Sequence, residues 1–162
     1  MSWGAVVRMS SVVAVTAFGL MALPCEADGL LYHTLSPCRL ADTRGPNGQS
    51  GGPALQTGLV RAFPVQGLPP CGVPVGAKAV SVNVTAVTPN GQGHLILFPN
   101  GIAQPVVSTV NFPAGVPALG NGALVPLGDA GAYLNMDLNV YAFVNVTGGT
   151  VHMVLDVTGY FQ

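Results

Sequence analysis

From Gly29 to the C-terminus the dominant pattern is alternation of apolar and polar residues rather than a 3.6-residue period, which predicts strands and not helices. Residues 78–88, K-A-V-S-V-N-V-T-A-V-T, show it best: Val80, Val82, Val84 and Ala86 point one way and Ser81, Asn83 and Thr85 the other. Such a strand has one dry face and one wet face. Further strands are expected at residues 31–35, 39–43, 59–65, 94–98, 106–112, 123–127, 132–139, 141–146 and 150–160. Most of the gaps carry turn residues, as in Pro89-Asn90-Gly91, Pro99-Asn100-Gly101, Gly120-Asn121-Gly122 and Gly128-Asp129-Ala130-Gly131. Short strands at this spacing predict an all-β fold, an antiparallel β-sandwich of about nine strands. Gly148-Gly149 separates two alternating runs, Val140, Ala142, Val144 and Val146 before it and Val151, Met153, Leu155 and Val157 after it. The two runs are expected to pair as a hairpin and to face one core. Residues 45–58, G-P-N-G-Q-S-G-G-P-A-L-Q-T-G, have no periodicity and read as a long polar loop, mobile or functional.

The N-terminal residues are of another kind. Arg8 is followed by an apolar run from Met9 to Leu23, shorter than the roughly 20 residues a membrane span takes and suited to a secretory leader. Cleavage is expected after Ala27 of Cys25-Glu26-Ala27, which divides the chain into a signal peptide at 1–27 and one domain at 28–162. Cleavage after Ala22, lipidation of Cys25 and a buried N-terminal helix are the alternatives. Loss of residues 1–27 removes Cys25 and leaves Cys38 and Cys71, which read as a disulfide in an oxidising compartment, with two buried free thiols as the alternative. Neither cysteine lies in a C-x-x-C pair, and His33, His94 and His152 lack ligand spacing, so no metal or other cofactor is expected.

Composition sharpens this picture. The 162 residues hold 5 Lys or Arg and 6 Asp or Glu, 7% charged against roughly 25% in ordinary soluble domains. The 22 Gly and 14 Pro argue against long helices, and a net charge of −1 gives no basic surface for nucleic acid. Against this background Arg39, Asp42 and Arg44 form a dense cluster in Pro37 to Arg44, P-C-R-L-A-D-T-R. On an extended segment Asp42 and Arg44 share a face, so the cluster reads as a structural ion pair, with an anion site on the arginines as the alternative. Asp42 lacks a second positioned group for acid–base work, residues 47–52 lack the Gly-Lys-Ser of a phosphate loop, and no G-x-S-x-G occurs. Asp129, with Asn121 or Asp137, reads as turn chemistry in preference to a calcium site. The chain is therefore expected not to be an enzyme. Among aromatics, Tyr32 and Tyr133 are candidate ligand contacts, while Tyr141 and Tyr160 are expected to cap the core.

In combination these segments resemble a class of uncharacterised secreted β-sandwich modules of environmental bacteria. The likeness rests on P-C-R-x-x-D-T-R at residues 37–44, Cys-Gly-x-Pro at 71–74, the strand at 79–85, Val107 to Phe112 with Gly115, and D-V-x-G-Y-F at 156–161. It spans residues 31–161. The resemblance implies an extracellular domain with paired cysteines and no catalytic residues to carry over. An Arg-Ala-Asn common near residues 118–122 in that class is replaced here by Ala118-Leu119-Gly120-Asn121-Gly122.

The expectation is a secreted or cell-surface, non-catalytic structural or interaction module without a stable membrane span. The alternative is a carbohydrate-binding module for cell-wall or environmental polysaccharide, using Tyr32 or Tyr133 and the 45–58 loop. Another surface protein is a second candidate partner, and the scarcity of charge on the edge strands makes self-association a third.

Overall fold

A computed structural model describes residues 29–132 and 136–162 of this chain. The expected leader at 1–27, including Cys25, and Tyr133 lie outside the described residues. Nine strands follow in order: β1 (Tyr32–Asp42), β2 (Leu55–Gln56), β3 (Val60–Pro64), β4 (Ala79–Val87), β5 (Gly93–Pro99), β6 (Val110–Phe112), β7 (Ala118–Pro126), β8 (Met136–Val144) and β9 (Thr150–Phe161). One sheet has the order β1-β9-β4-β7, with β2 also pairing β9, and the other runs β3-β8-β5-β6. All of these pairings are antiparallel. The fold is the antiparallel sandwich that the alternation predicts.

The alternating residues explain why two sheets form. Val80, Val82, Val84 and Ala86 of β4 and Val151, Met153, Leu155 and Val157 of β9 line one side of a common core. Phe63 of β3, Leu95 and Leu97 of β5, and Leu138, Val140, Ala142 and Val144 of β8 line the other. Leu95, Leu138, Met153 and Leu155 are fully buried, each worth about 1.5–3 kcal/mol of hydrophobic transfer. Both stripes face the same core, as expected, but across it rather than side by side.

That arrangement corrects the expected terminal hairpin. β8 bonds to β3 and β5, whereas β9 bonds to β1, β2 and β4, so the segment holding Gly148-Gly149 arches from one sheet to the other. Strand β8 ends at Val144, and the linker therefore covers residues 145–149. Packed sheets lie about 10 Å apart and paired strands about 4.8 Å apart, so a linker of this length reaches across where a two-residue turn would not. Gly149 passes so close to Val144 that a Cβ would sit 2.7 Å from the valine Cβ, and Val146 is left half exposed outside the core.

Other boundaries shift for identifiable reasons. The expected strands at 31–35 and 39–43 merge into β1, whose ladder is irregular between Thr34 and Cys38, where Pro37 sits on a sheet edge that tolerates a missing donor. The strands expected at 132–139 and 141–146 join through Val140 in one strand, β8, of which Met136–Val144 are described. Gly120-Asn121-Gly122 reads as a turn but lies within β7, opposite Thr85, Val84 and Asn83 of β4. A long neighbouring strand recruits these residues despite their weak β-propensity.

Candidate functional site

The charged cluster closes on itself. Arg39 of β1 stands directly opposite Asp156 of β9 and donates to it from Nε at 2.9 Å and Nη2 at 3.3 Å. Asp42 accepts from Arg39 Nη1 at 3.3 Å, from Arg44 Nε at 2.8 Å and Nη2 at 2.6 Å, and from the Arg44 backbone N–H at 3.1 Å. Two cations thus face two carboxylates on the β1 side of the sheet. Sequence reasoning brought Arg39, Asp42 and Arg44 together but missed Asp156, which only the β1–β9 register supplies. Thr43, between the two charged residues, is buried and receives the Met153 N–H on its Oγ1 at 2.7 Å. The segment Asp42-Thr43-Arg44 therefore fastens the end of β1 to β9.

Arg44 hydrogen bonding, reinforced by both arginine charges, lowers the Asp42 pKa from an ordinary 3.8 to about 2. A folded-state pKa below the unfolded one contributes stability above pH 4 or so that is lost as pH falls through about 2. A carboxyl NMR titration is expected to place the Asp42 midpoint near 2, and Arg44→Ala to return it toward its ordinary value. A midpoint that does not move in the variant would refute the assignment.

Next to the cluster, Cys38 of β1 and Cys71 form a disulfide with Cα atoms 5.4 Å apart. The 45–58 loop lies within this covalent ring and is ordered by a residue the sequence reading overlooked. Arg61 of β3 donates from Nη2 to the carbonyls of Gly48 at 2.6 Å, Gly51 at 2.7 Å and Gly52 at 3.2 Å, and from Nη1 to Pro53 at 2.9 Å. Its guanidinium lies 4.7 Å from the centre of the Phe63 ring, on the same face of β3. Burial lowers the Arg61 pKa, so the carbonyl cradle replaces hydration that this cation has lost.

Asp137, fully buried at the start of β8, accepts from the backbone N–H groups of Val65 at 2.8 Å and Gln66 at 2.9 Å. Burial pushes its carboxyl above the usual range, against the pull of those donors. Asp129 accepts the Gly131 N–H at 2.9 Å within its own turn. Among the described residues no three His, Cys, Asp or Glu side chains are placed to hold a metal ion.

The aromatic residues divide unexpectedly. Tyr32 lies over Gly159 and packs against Phe161 with ring centres 4.9 Å apart, on the β1 edge, and it stays 46% exposed. Tyr160 packs against the core and stacks on His33, as a core-capping residue should. Tyr141 does not cap the core: in β8 it points away from Val140 and Ala142, onto the outer face of the four-stranded sheet. There it meets His94 at 6.3 Å, and His94 stacks on Phe143 at 5.3 Å with the rings 27° from parallel. The register sets this row, because Asn111 of β6, His94 of β5 and Phe143 of β8 are successive cross-strand partners.

Two grooves of about 550 and 400 Å³ adjoin on this face and share His94 and Asn111. Gln92, Asn145 and Phe143 line the larger, and Tyr141, Gln104 and Val106 the smaller. Both are shallow and open to solvent, and neither is lined by Lys, Arg, Asp or Glu. Gly93 is required at the floor: a Cβ there would strike the Phe143 carbonyl and force β5 from β8. The chain matches no protein-family model, and comparison with curated proteins and with solved structures likewise returns no match.

Proposed function

We propose that this chain is a non-catalytic, exported bacterial module that engages a cell-surface partner through the outer face of its four-stranded sheet. The outer-face row of exposed Phe143 and half-buried His94 and Tyr141 carries the reading. Phe143 remains 38% exposed on a rigid strand paired on both sides, although its burial would favour folding. An aromatic held in water by a fixed scaffold is ready to be covered by a partner without further ordering of the backbone. The Cys38–Cys71 bond supports export, because disulfides persist in oxidising compartments. The charged cluster has a structural role in this reading, since its arginines already hold carboxylates.

The test is sedimentation of the protein, produced as the full chain in an exporting host, with isolated bacterial envelope fractions. Retention is expected, and the paired substitution Tyr141→Ala with Phe143→Ala should abolish it while Arg44→Ala leaves it intact. Protein that stays in the supernatant of every fraction would refute the proposal.

A further inference from the structure

We infer that the two adjoining grooves over β5 and β8 form a binding site for a neutral polysaccharide, with Phe143 and Tyr141 as stacking platforms; this rests on the interaction-module reading above. The aromatic rings supply the first half of the chemistry. One face of a pyranose is a patch of C–H bonds, and it lies favourably on the electron-rich face of an aromatic ring. His94 holds the Phe143 ring from one side through its 5.3 Å stack, which makes it a positioning residue.

The rim supplies the second half. Asn145, Gln92, Asn111 and Gln104 stand exposed around the rings. Among the described residues, the side-chain amides of Gln92, Gln104 and Asn145 make no hydrogen bond to protein, while Asn111 Nδ2 donates to Ser108 Oγ at 3.0 Å. An amide carries a donor and an acceptor side by side, which suits neighbouring hydroxyls of a sugar. The absence of any formal charge in the lining disfavours an anionic polymer, which would lose hydration and find no cation.

The same geometry argues against a peptide. Extended peptides are captured by main-chain bonds to a sheet edge, but β5 lies between β6 and β8, and β8 between β5 and β3. Their backbone groups are engaged in the sheet, so the strands that carry the rings offer side chains only, and the edge at the groove rim, β6, is three residues long, too short to hold an extended peptide in register. Two grooves meeting at His94 and Asn111 suit a chain of several sugar rings better than a single one.

Affinity electrophoresis of the exported full-chain protein tests the inference in gels containing hydroxyethylcellulose, xylan, galactomannan or mixed-linkage β-glucan, with alginate and polygalacturonate as anionic controls. Retardation is expected in at least one neutral polymer and in neither anionic one. Phe143→Ala and Tyr141→Ala should each weaken it about tenfold, the loss of one stacked ring, and Phe143→Trp should preserve it. Both rings point out of the core, and thermal melting of each variant confirms that the fold persists. Absence of retardation in every neutral polymer, or retardation indifferent to both alanine variants, overturns the inference. Envelope sedimentation separates the two failures. Phe143-dependent retention without polysaccharide binding, or a Phe143-dependent change of oligomeric state in light scattering, assigns the face to a protein partner or a second copy and overturns the sugar site. The interaction-module reading then stands.

Discussion

Replacing Cys38 and Cys71 by alanine is expected to lower stability by about 3–4 kcal/mol. The bond closes a ring between residues 33 apart in sequence. In the chain-entropy model such a crosslink acts mainly by limiting the unfolded ensemble, and the Cα separation of 5.4 Å lies where disulfides form without moving the backbone. The ring also contains much of what is weakest in the fold: β2 is two residues long, and the 45–58 loop adds little to the core. Alanine is preferable to serine, because Cys71 is buried and a hydroxyl there would add a polar cost. Urea unfolding of the oxidised, reduced and doubly substituted proteins is the measurement. A difference below about 1 kcal/mol would show that the unfolded chain is already restricted or that the bond strains the native state.

Arg61→Ala is expected to cost about 2–3 kcal/mol, although the residue lies near the surface on an edge strand. The guanidinium gathers the carbonyls of Gly48, Gly51, Gly52 and Pro53, and removing it takes their donor from Gly51 and Pro53, while the Gly48 and Gly52 carbonyls keep the backbone N–H groups of Gly51 and Gly48. Arg61→Lys should recover less than half, since an ammonium cannot offer a planar fork to several carbonyls or lie flat over Phe63. The loss should be local first. Protease cleavage within residues 45–58 should rise in Arg61→Ala before the global midpoint in urea moves, because the loop opens as a unit separate from the sandwich. Equal cleavage of wild type and variant would show that the loop is ordered by other contacts.

These two sites differ in how far the sequence discloses them. Cys38 and Cys71 are legible because removal of the expected leader leaves an even pair. Arg61 is a lone cation in an alternating strand, and nothing local says that the loop preceding it folds back onto its side chain. Asp156 is similar: it becomes the partner of Arg39 only when β1 is laid against β9 in one particular register. Tyr141 and Phe143 occupy the intermediate case. The alternation that sends Val140, Ala142 and Val144 into the core sends these two rings outward, so their direction is readable from residues 140–144 alone. Their meeting with His94 and Asn111 is not, because those residues lie on other strands.

The terminal arch marks the same division. Period-two patterning determined that the chain forms strands, which side chains are dry, and that the dry stripes of β8 and β9 face one core. Each of these is a property of neighbouring residues, carried by a backbone that turns its side chains to alternate sides. Whether two strands lie beside each other or across a core leaves that pattern unchanged. The tertiary structure alone decided it, through the reach of residues 145–149 and the competition of β3 and β5 for β8. Strand pairing is a contact between segments distant in sequence, and so are the ion-pair ladder, the Arg61 cradle and the aromatic grooves.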